Sequence, residues 1–271
     1  FAEARRSLLH TLLHALESWL EADPERPFFT SFIHQHKKLL GDNPDARYSS
    51  AVINDQNSYC IRGNLAGANY TSFTVELGAG TGFLTAALLA QGVNVDATDA
   101  SPAMVELGRQ AVPAANWSVH NAFGPIEPAK ALASTGLLHW AGDPAAVLRH
   151  WRAALPEGGR LLLGVPCDPC LNELRDLIGE GPVRWRDESQ WLALLKGAKF
   201  DVHAHGVLEA EEIYPNALDF FRTLHRSGVT GDPRFSPSEL RSLLRDYDRL
   251  HAHQDGVVAT WAWLVVDATA R

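Results

Sequence analysis

Three cysteines and one methionine among 271 residues leave no basis for a disulfide framework, and the odd thiol count points to a reducing compartment. No apolar run approaches the length of a membrane span and no cleavable leader is visible, so a cytoplasmic location away from any bilayer is expected. Positive charge is also scarce: 24 Lys and Arg stand against 32 Asp and Glu, a formal net charge of −8. That balance argues against a protein that grips nucleic acid by neutralising phosphates. Internal repeats and low-complexity segments are missing as well. What the chain does hold is 46% hydrophobic residues, enough to fill one large core or a core with a cap.

The richest segment runs from Val75 to Leu84, VELGAGTGFL. Ser72 to Val75 reads as a buried strand, Gly78, Gly80 and Gly82 as a turn, and Phe83 to Gln91 as an apolar-spaced helix. Glycine lets the backbone approach a ligand, and the next strand, Val93 to Thr98, delivers Asp99 where the hydroxyls of a ribose would lie. A nucleoside-type cofactor is therefore expected. The spacing is G-x-G-x-G rather than the dinucleotide G-x-G-x-x-G, and Glu76 precedes it. A carboxylate there repels a pyrophosphate but suits a ligand with an ammonium and a sulfonium, which favours S-adenosylmethionine.

At these residues the chain resembles the class I methyltransferases, whose first motif is an acid followed by G-x-G-x-G and whose second is an acid ending the next strand. Asp99-Ala100-Ser101-Pro102-Ala103-Met104 looks like that second motif, with Ser101 capping a helix that Pro102 opens. The resemblance implies that Glu76 lies near the cofactor's amino group and that Gly78, Ala79, Gly80 and Gly82 form close-packed backbone. It also implies Asp99 and Ala100 at the ribose, Met104 on the adenine face, and Asn121, Ala122 and Phe123 at the adenine edge. Asn121 stands where many relatives carry aspartate.

Along the rest of the chain, residues 1 to 45 read as two amphipathic helices, and residues 1–60 as an N-terminal helical extension or lid. Residues 61–271 would form the main domain. Strands are expected near 73–77, 93–98, 117–120, 132–138 and 159–165, then Phe200 to Val207 and Val257 to Val266; helices are expected near 82–91, 102–111 and 144–155. After the fifth strand, Cys170 to Ile178, Glu188 to Lys196, 215–226 and 237–249 read as helices. The alternation predicts an α/β fold, a doubly wound and mostly parallel seven-stranded sheet, Rossmann-like, with an N-terminal helical hairpin and a helical insertion before the last strand. The cap is expected at about 208–252, and by the resemblance the last strand enters antiparallel beside the fifth.

Ligands in such sheets sit at the carboxyl ends of the strands where the order reverses, which brings Thr135 to Trp140 to the same crevice. His139 is the acid/base candidate there, with Trp140 and Tyr59 as candidate acceptor contacts. Cys167-Asp168-Pro169-Cys170 has spacing that suits redox chemistry or half a zinc site, but no second pair exists and no metal site is expected. The three H-x-H pairs, at His34, His203 and His251, have no carboxylate at fixed spacing and read as polar surface.

From Leu155 onward the chain resembles malonyl-acyl-carrier-protein O-methyltransferases of biotin synthesis. The resemblance is carried by Leu171-Asn172-Glu173-Leu174-Arg175, by Ala217 to Val229, by Ser236 to Arg241 and by Val258-Ala259-Thr260-Trp261. It implies methylation of the free carboxylate of a malonyl thioester on acyl carrier protein. The stretch from Arg222 to Arg249 holds six arginines and four acids, so a basic lid could steer an acidic carrier, though such arginines are commonly a solvated face. Arg222 is the candidate carboxylate clamp. The first 72 residues depart from that family, so a natural-product or quinone-type small molecule stays open as acceptor. A non-catalytic cofactor-binding subunit with the same fold is the further alternative.

Overall fold

The computed structural model describes residues 74–90, 92–179, 184–226 and 235–271. The expected N-terminal helices of residues 1–45, and the extension of residues 1–60 with Tyr59, lie outside the described residues.

Eight strands form one sheet. β1 (Thr74–Leu77), β2 (Val95–Asp99), β3 (Asn116–Val119), β4 (Ala131–Thr135) and β5 (Arg160–Pro166) pair in parallel, and β6 (Phe200–Tyr214) and β8 (Gly256–Ala270) close the far side. The order is β3-β2-β1-β4-β5-β8-β6, with the two-residue β7 (Ala252–His253) paired to β8. The sequence reading of seven strands thus misses β7, which is too short to carry a periodic signal. β8 runs antiparallel beside β5, as the resemblance implied, and is also antiparallel to β6. The strand order reverses between β1 and β4, so a crevice opens at their carboxyl ends.

The helices follow from local signals. α1 (Phe83–Ala90) begins at the last glycine, and α2 (Pro102–Ala111) is capped by Ser101 and opened by Pro102. α3 (Pro144–Ala154) has the same arrangement, with Asp143 accepting from the Ala146 N–H. α4 (Asn172–Ile178) and α5 (Glu188–Gly197) follow β5, and α5 opens with a capping box between Asp187 and Gln190. α6 (Ala217–Arg226) and α7 (Pro237–Leu250) form the helical insertion before β7 and β8. No helix among the described residues is long and apolar enough to cross a membrane.

Two expected boundaries are corrected. β4 ends at Thr135 rather than near 138, because Gly136 takes φ +67° and turns the chain into a 3-10 turn over Leu138–Trp140. β6 continues to Tyr214 instead of stopping near Val207, so residues 208–214 of the expected cap are strand. Those seven residues pair with β8 from Leu208 opposite Trp263 to Tyr214 opposite Val257, a ribbon that runs on past the end of β5. The core lies between β1, β4, β5 and β8 and helices α3 and α5, with Trp151, Trp191, Leu132, Leu161, Leu163 and Leu264 sealed from solvent. A smaller cluster under α1 joins Leu84, Ala87 and Leu88 to Val95, Ala97 and Ala133.

Candidate functional site: a cofactor cradle at the ends of β1 and β2

The three glycines share a backbone conformation but not the same surroundings. All have positive φ, +71° at Gly78, +56° at Gly80 and +91° at Gly82. A Cβ on Gly78 would sit 2.7 Å from Leu137 Cδ2, and one on Gly82 would sit 2.9 Å from Val112 Cγ2 and 3.0 Å from the Trp117 indole. Both positions are closed by packing. Gly80 has nothing within 4 Å of where its Cβ would be, so the middle of the cradle faces open space.

Neighbouring strands hold the cradle in place. The Ala79 N–H donates to the Thr98 carbonyl at 2.8 Å, and the Gly80 N–H donates to Asp99 Oδ2 at 3.0 Å. Asp99 Oδ1 accepts the Ser101 N–H at 2.8 Å, so one carboxylate fixes both the glycine bend and the start of α2. Each oxygen retains a further lone pair, and a ribose hydroxyl can donate to it. The carbonyls that end β1 are also taken: Thr98 Oγ1 donates to the Glu76 carbonyl and Ser134 Oγ to the Leu77 carbonyl, both at 2.8 Å.

Glu76 is buried, with its Oε2 accepting the Thr85 hydroxyl of α1 at 2.6 Å. Burial is the main reason its pKa rises to about 8, opposed by the Thr85 bond and aided by the nearby Asp99 charge. The two acids of the motifs thus share one site. An ammonium brought beside Glu76 would favour its ionised form by the same Coulomb argument.

The remaining expected cofactor positions lie around this cradle or on the loop after β3. Met104 is 38% exposed on the first turn of α2, beside Ala100. Asn121 is exposed and its Oδ1 accepts the Phe123 N–H at 3.0 Å, which folds the post-β3 loop. Ala122 is buried, its carbonyl held by Trp151 Nε1 at 2.8 Å. Phe123 is half-buried, and Thr135 ends β4 opposite Gly164.

On the acceptor side, His139 is half-buried in the 3-10 turn, stacked on Trp140 with ring centroids 4.9 Å apart. Its Nδ1 is buried with no hydrogen-bond partner among the described residues, and burial lowers its pKa to about 4, so the imidazole is neutral at pH 7. Trp140 is 39% exposed. The candidate clamp Arg222 is exposed on α6 and pairs with Asp219, one turn earlier, at 3.2 Å.

The His34-Gln35-His36 pair lies outside the described residues. Cys167 and Cys170 are both buried, and burial is the leading cause that pushes each thiol to about 12. His203 meets Thr269 Oγ1 and His205 meets Glu188 Oε1, each at 2.7 Å. Among the described residues no group of three His, Cys, Asp or Glu could hold a metal. Residues that sequence reasoning missed are Thr85, Thr98 and Ser134, which fasten the cradle, and Trp117, against which it packs. Single hydroxyls on apolar elements give no pattern by themselves.

An acid-headed glycine cradle joined to a second acid at the switch point of a 3-2-1-4-5 parallel sheet defines the Rossmann-like fold of the methyltransferases whose cofactor is S-adenosylmethionine. Residues 75–161 match the family model described as a methyltransferase domain. A putative methyltransferase from Bacillus halodurans has the same fold at a TM-score of 0.58 and 15% identity, over 76% of this chain and 96% of that one. The YcgJ protein of Bacillus subtilis gives 0.56 at 16% identity, over 79% and 97%. Magnesium protoporphyrin IX methyltransferase from Synechocystis, solved with bound SAH, gives 0.51 at 12% identity, over 90% and 87%. No curated protein matches by sequence.

Proposed function

We propose that the chain uses S-adenosylmethionine to methylate the free carboxylate of a malonyl thioester carried on acyl carrier protein. When bound, the cofactor supplies a methyl carbon on a positively charged sulfur. The chain's own residues align and exclude water: Gly80 leaves room for the ligand, Asp99 accepts from a ribose, and Glu76 faces the ammonium end. A carboxylate acceptor is already the nucleophile and needs no proton removed, which suits a site whose nearest candidate base is a weakly basic imidazole.

The observation that carries the acceptor reading is a buried link between two of the resembling segments. Glu173 in Leu171–Arg175 accepts the Thr260 N–H at 3.0 Å and the Thr260 hydroxyl at 2.5 Å, across 87 residues of chain. Tyr247 of α7 donates to the Val258 carbonyl at 2.8 Å, and its ring lies 5.0 Å from that of Phe220 on α6. Three of the segments that carry the malonyl-thioester resemblance are thus joined, Glu173 directly to Thr260 and Phe220 through Tyr247 to Val258.

His139 favours a second reading. A neutral, half-buried imidazole with an unpartnered nitrogen could take the proton of a hydroxyl on a natural-product or quinone-type acceptor. A labelled-methyl assay with malonyl-acyl carrier protein, malonyl-coenzyme A and a phenol panel separates the two. Transfer to the malonyl carrier that survives His139→Ala within about threefold supports the first reading. Transfer only to phenols, lost on the order of a hundredfold in His139→Ala, supports the second. The absence of all transfer by a chain that binds the cofactor would leave a binding subunit.

A further inference from the structure

The turn after β4 and the final strand meet at a point that the cofactor site does not use. Among the described residues, the Trp263 indole alone stands within 4 Å on the side-chain side of Gly136, where a Cβ would lie 3.4 Å from Cη2 and 3.8 Å from Cζ3. The next residue, Leu137, closes over Gly78. A line of contact thus leads from the cradle through Leu137 and Gly136 to Trp263.

Strand register places the tryptophan more closely. Trp263 is opposite Pro166, two residues along from Gly164; Gly164 is opposite Thr135, two along from Ala133; and Ala133 is opposite Glu76. Because side chains alternate, Trp263 and Glu76 share one face of the sheet, about 14 Å apart across the strands and, four residues along β8, about 13 Å apart along them. Glu76 stands level with Asp267, so Trp263 is displaced toward the open carboxyl ends of the parallel strands. Its ring is half-buried, whereas Ala262 and Leu264, which face the other way, are sealed. The turn after β4 and the first part of the strand that carries it hold no charged residue: residues 135–140 (TGLLHW) and 256–266 (GVVATWAWLVV) contain no Asp, Glu, Lys or Arg, and His139 is neutral.

We propose that Trp263 is a substrate-contacting residue, the wall between the cofactor cradle and the acceptor entrance, and that the acceptor group beside the reacting atom is flat and uncharged and lies on the indole. The proposal rests on the methyltransferase reading above and deepens it. In a malonyl thioester that flat group is the thioester carbonyl one carbon from the reacting carboxylate, which distinguishes it from free malonate.

The test uses the full chain with Trp263→Ala and Trp263→Phe. Expected for Trp263→Ala is a KM for malonyl-acyl carrier protein raised roughly tenfold, with kcat within about threefold and SAH affinity within about twofold. Trp263→Phe should recover most of the loss. An unchanged KM, or SAH affinity that falls as far as KM rises, overturns the proposal. If wild type does not methylate the malonyl carrier, the acceptor assignment fails by itself, and a second arm still reads Trp263. In a Cys60→Ser background, Trp263→Cys should be alkylated by N-ethylmaleimide in the folded protein and keep its SAH affinity. Resistance to alkylation, or loss of SAH binding on alkylation, overturns the proposal.

Discussion

The Thr85 hydroxyl on the first turn of α1 donates a 2.6 Å hydrogen bond to Glu76, the acid that heads the glycine cradle. The first acid of the cofactor motif is thus locked to the helix that follows the glycines, and its proton is held by burial.

That arrangement fixes a pH dependence. Glu76 is raised from 4.5 to about 8, so the folded state keeps a proton that the unfolded state gives up between those values. Stability from this group is complete below pH 4.5 and falls as pH rises to about 8, by on the order of a few kcal/mol. Glu212, also raised to about 8 by burial, acts in the same direction, so the comparison must be with a variant. Thermal unfolding of wild type and Glu76→Gln between pH 5 and 8.5 should show the variant losing less stability with pH. Parallel curves would show that Glu76 is ionised throughout.

Gly108 on α2 lies directly against Trp117, whose indole carbons would come within 2.2 and 2.3 Å of a Cβ placed there. Gly108→Ala should destabilise the fold by about 1–3 kcal/mol in urea titrations, as overpacking does. Most of that cost should disappear in a Trp117→Ala background, because the three nearest atoms all belong to that indole. An equal cost in both backgrounds would assign it to the backbone instead.

Glu173 satisfies the buried N–H and hydroxyl of Thr260 at the same time. Glu173→Ala should therefore cost more than Thr260→Val, since it strands a buried N–H, and a loss of about 2–4 kcal/mol is expected. Glu173→Gln should recover part of it. Denaturant midpoints that rank the alanine variant mildest would sink this account.

Cys167 and Cys170 sit buried with pKa values raised to about 12, leaving almost no thiolate near neutral pH. In a Cys60→Ser variant, a chromogenic disulfide reagent should release essentially no colour until denaturant is added. Two fast equivalents in the native protein would restore a redox reading of the C-x-x-C segment.

Much of the cofactor site was legible in the chain because its signals are local. Glycines at alternate positions, an acid before them and a second acid on the next strand need only strand and helix periodicity to be placed together, and Glu76, Gly80 and Asp99 do meet. The end of β6 was not legible. Leu208 to Ile213 (LEAEEI) is rich in Leu, Ala and Glu, which favour helix, yet it pairs along its length with β8. The candidate Arg222 shows the same limit: its number of charges was readable, but its partner, Asp219 one turn away, was decided by the helix that carries both.

Sequence alone determined the alternating strands and helices, the glycine bend and its two acids, because hydrophobic period, capping and backbone freedom act over a few residues. Tertiary structure alone decided that Thr85 holds Glu76, that Glu173 holds Thr260 across 87 residues, and that Trp263 stands over Gly136. Those contacts depend on sheet register and strand order, which set neighbours by hydrogen bonding between segments far apart in the chain and leave no mark on any one of them.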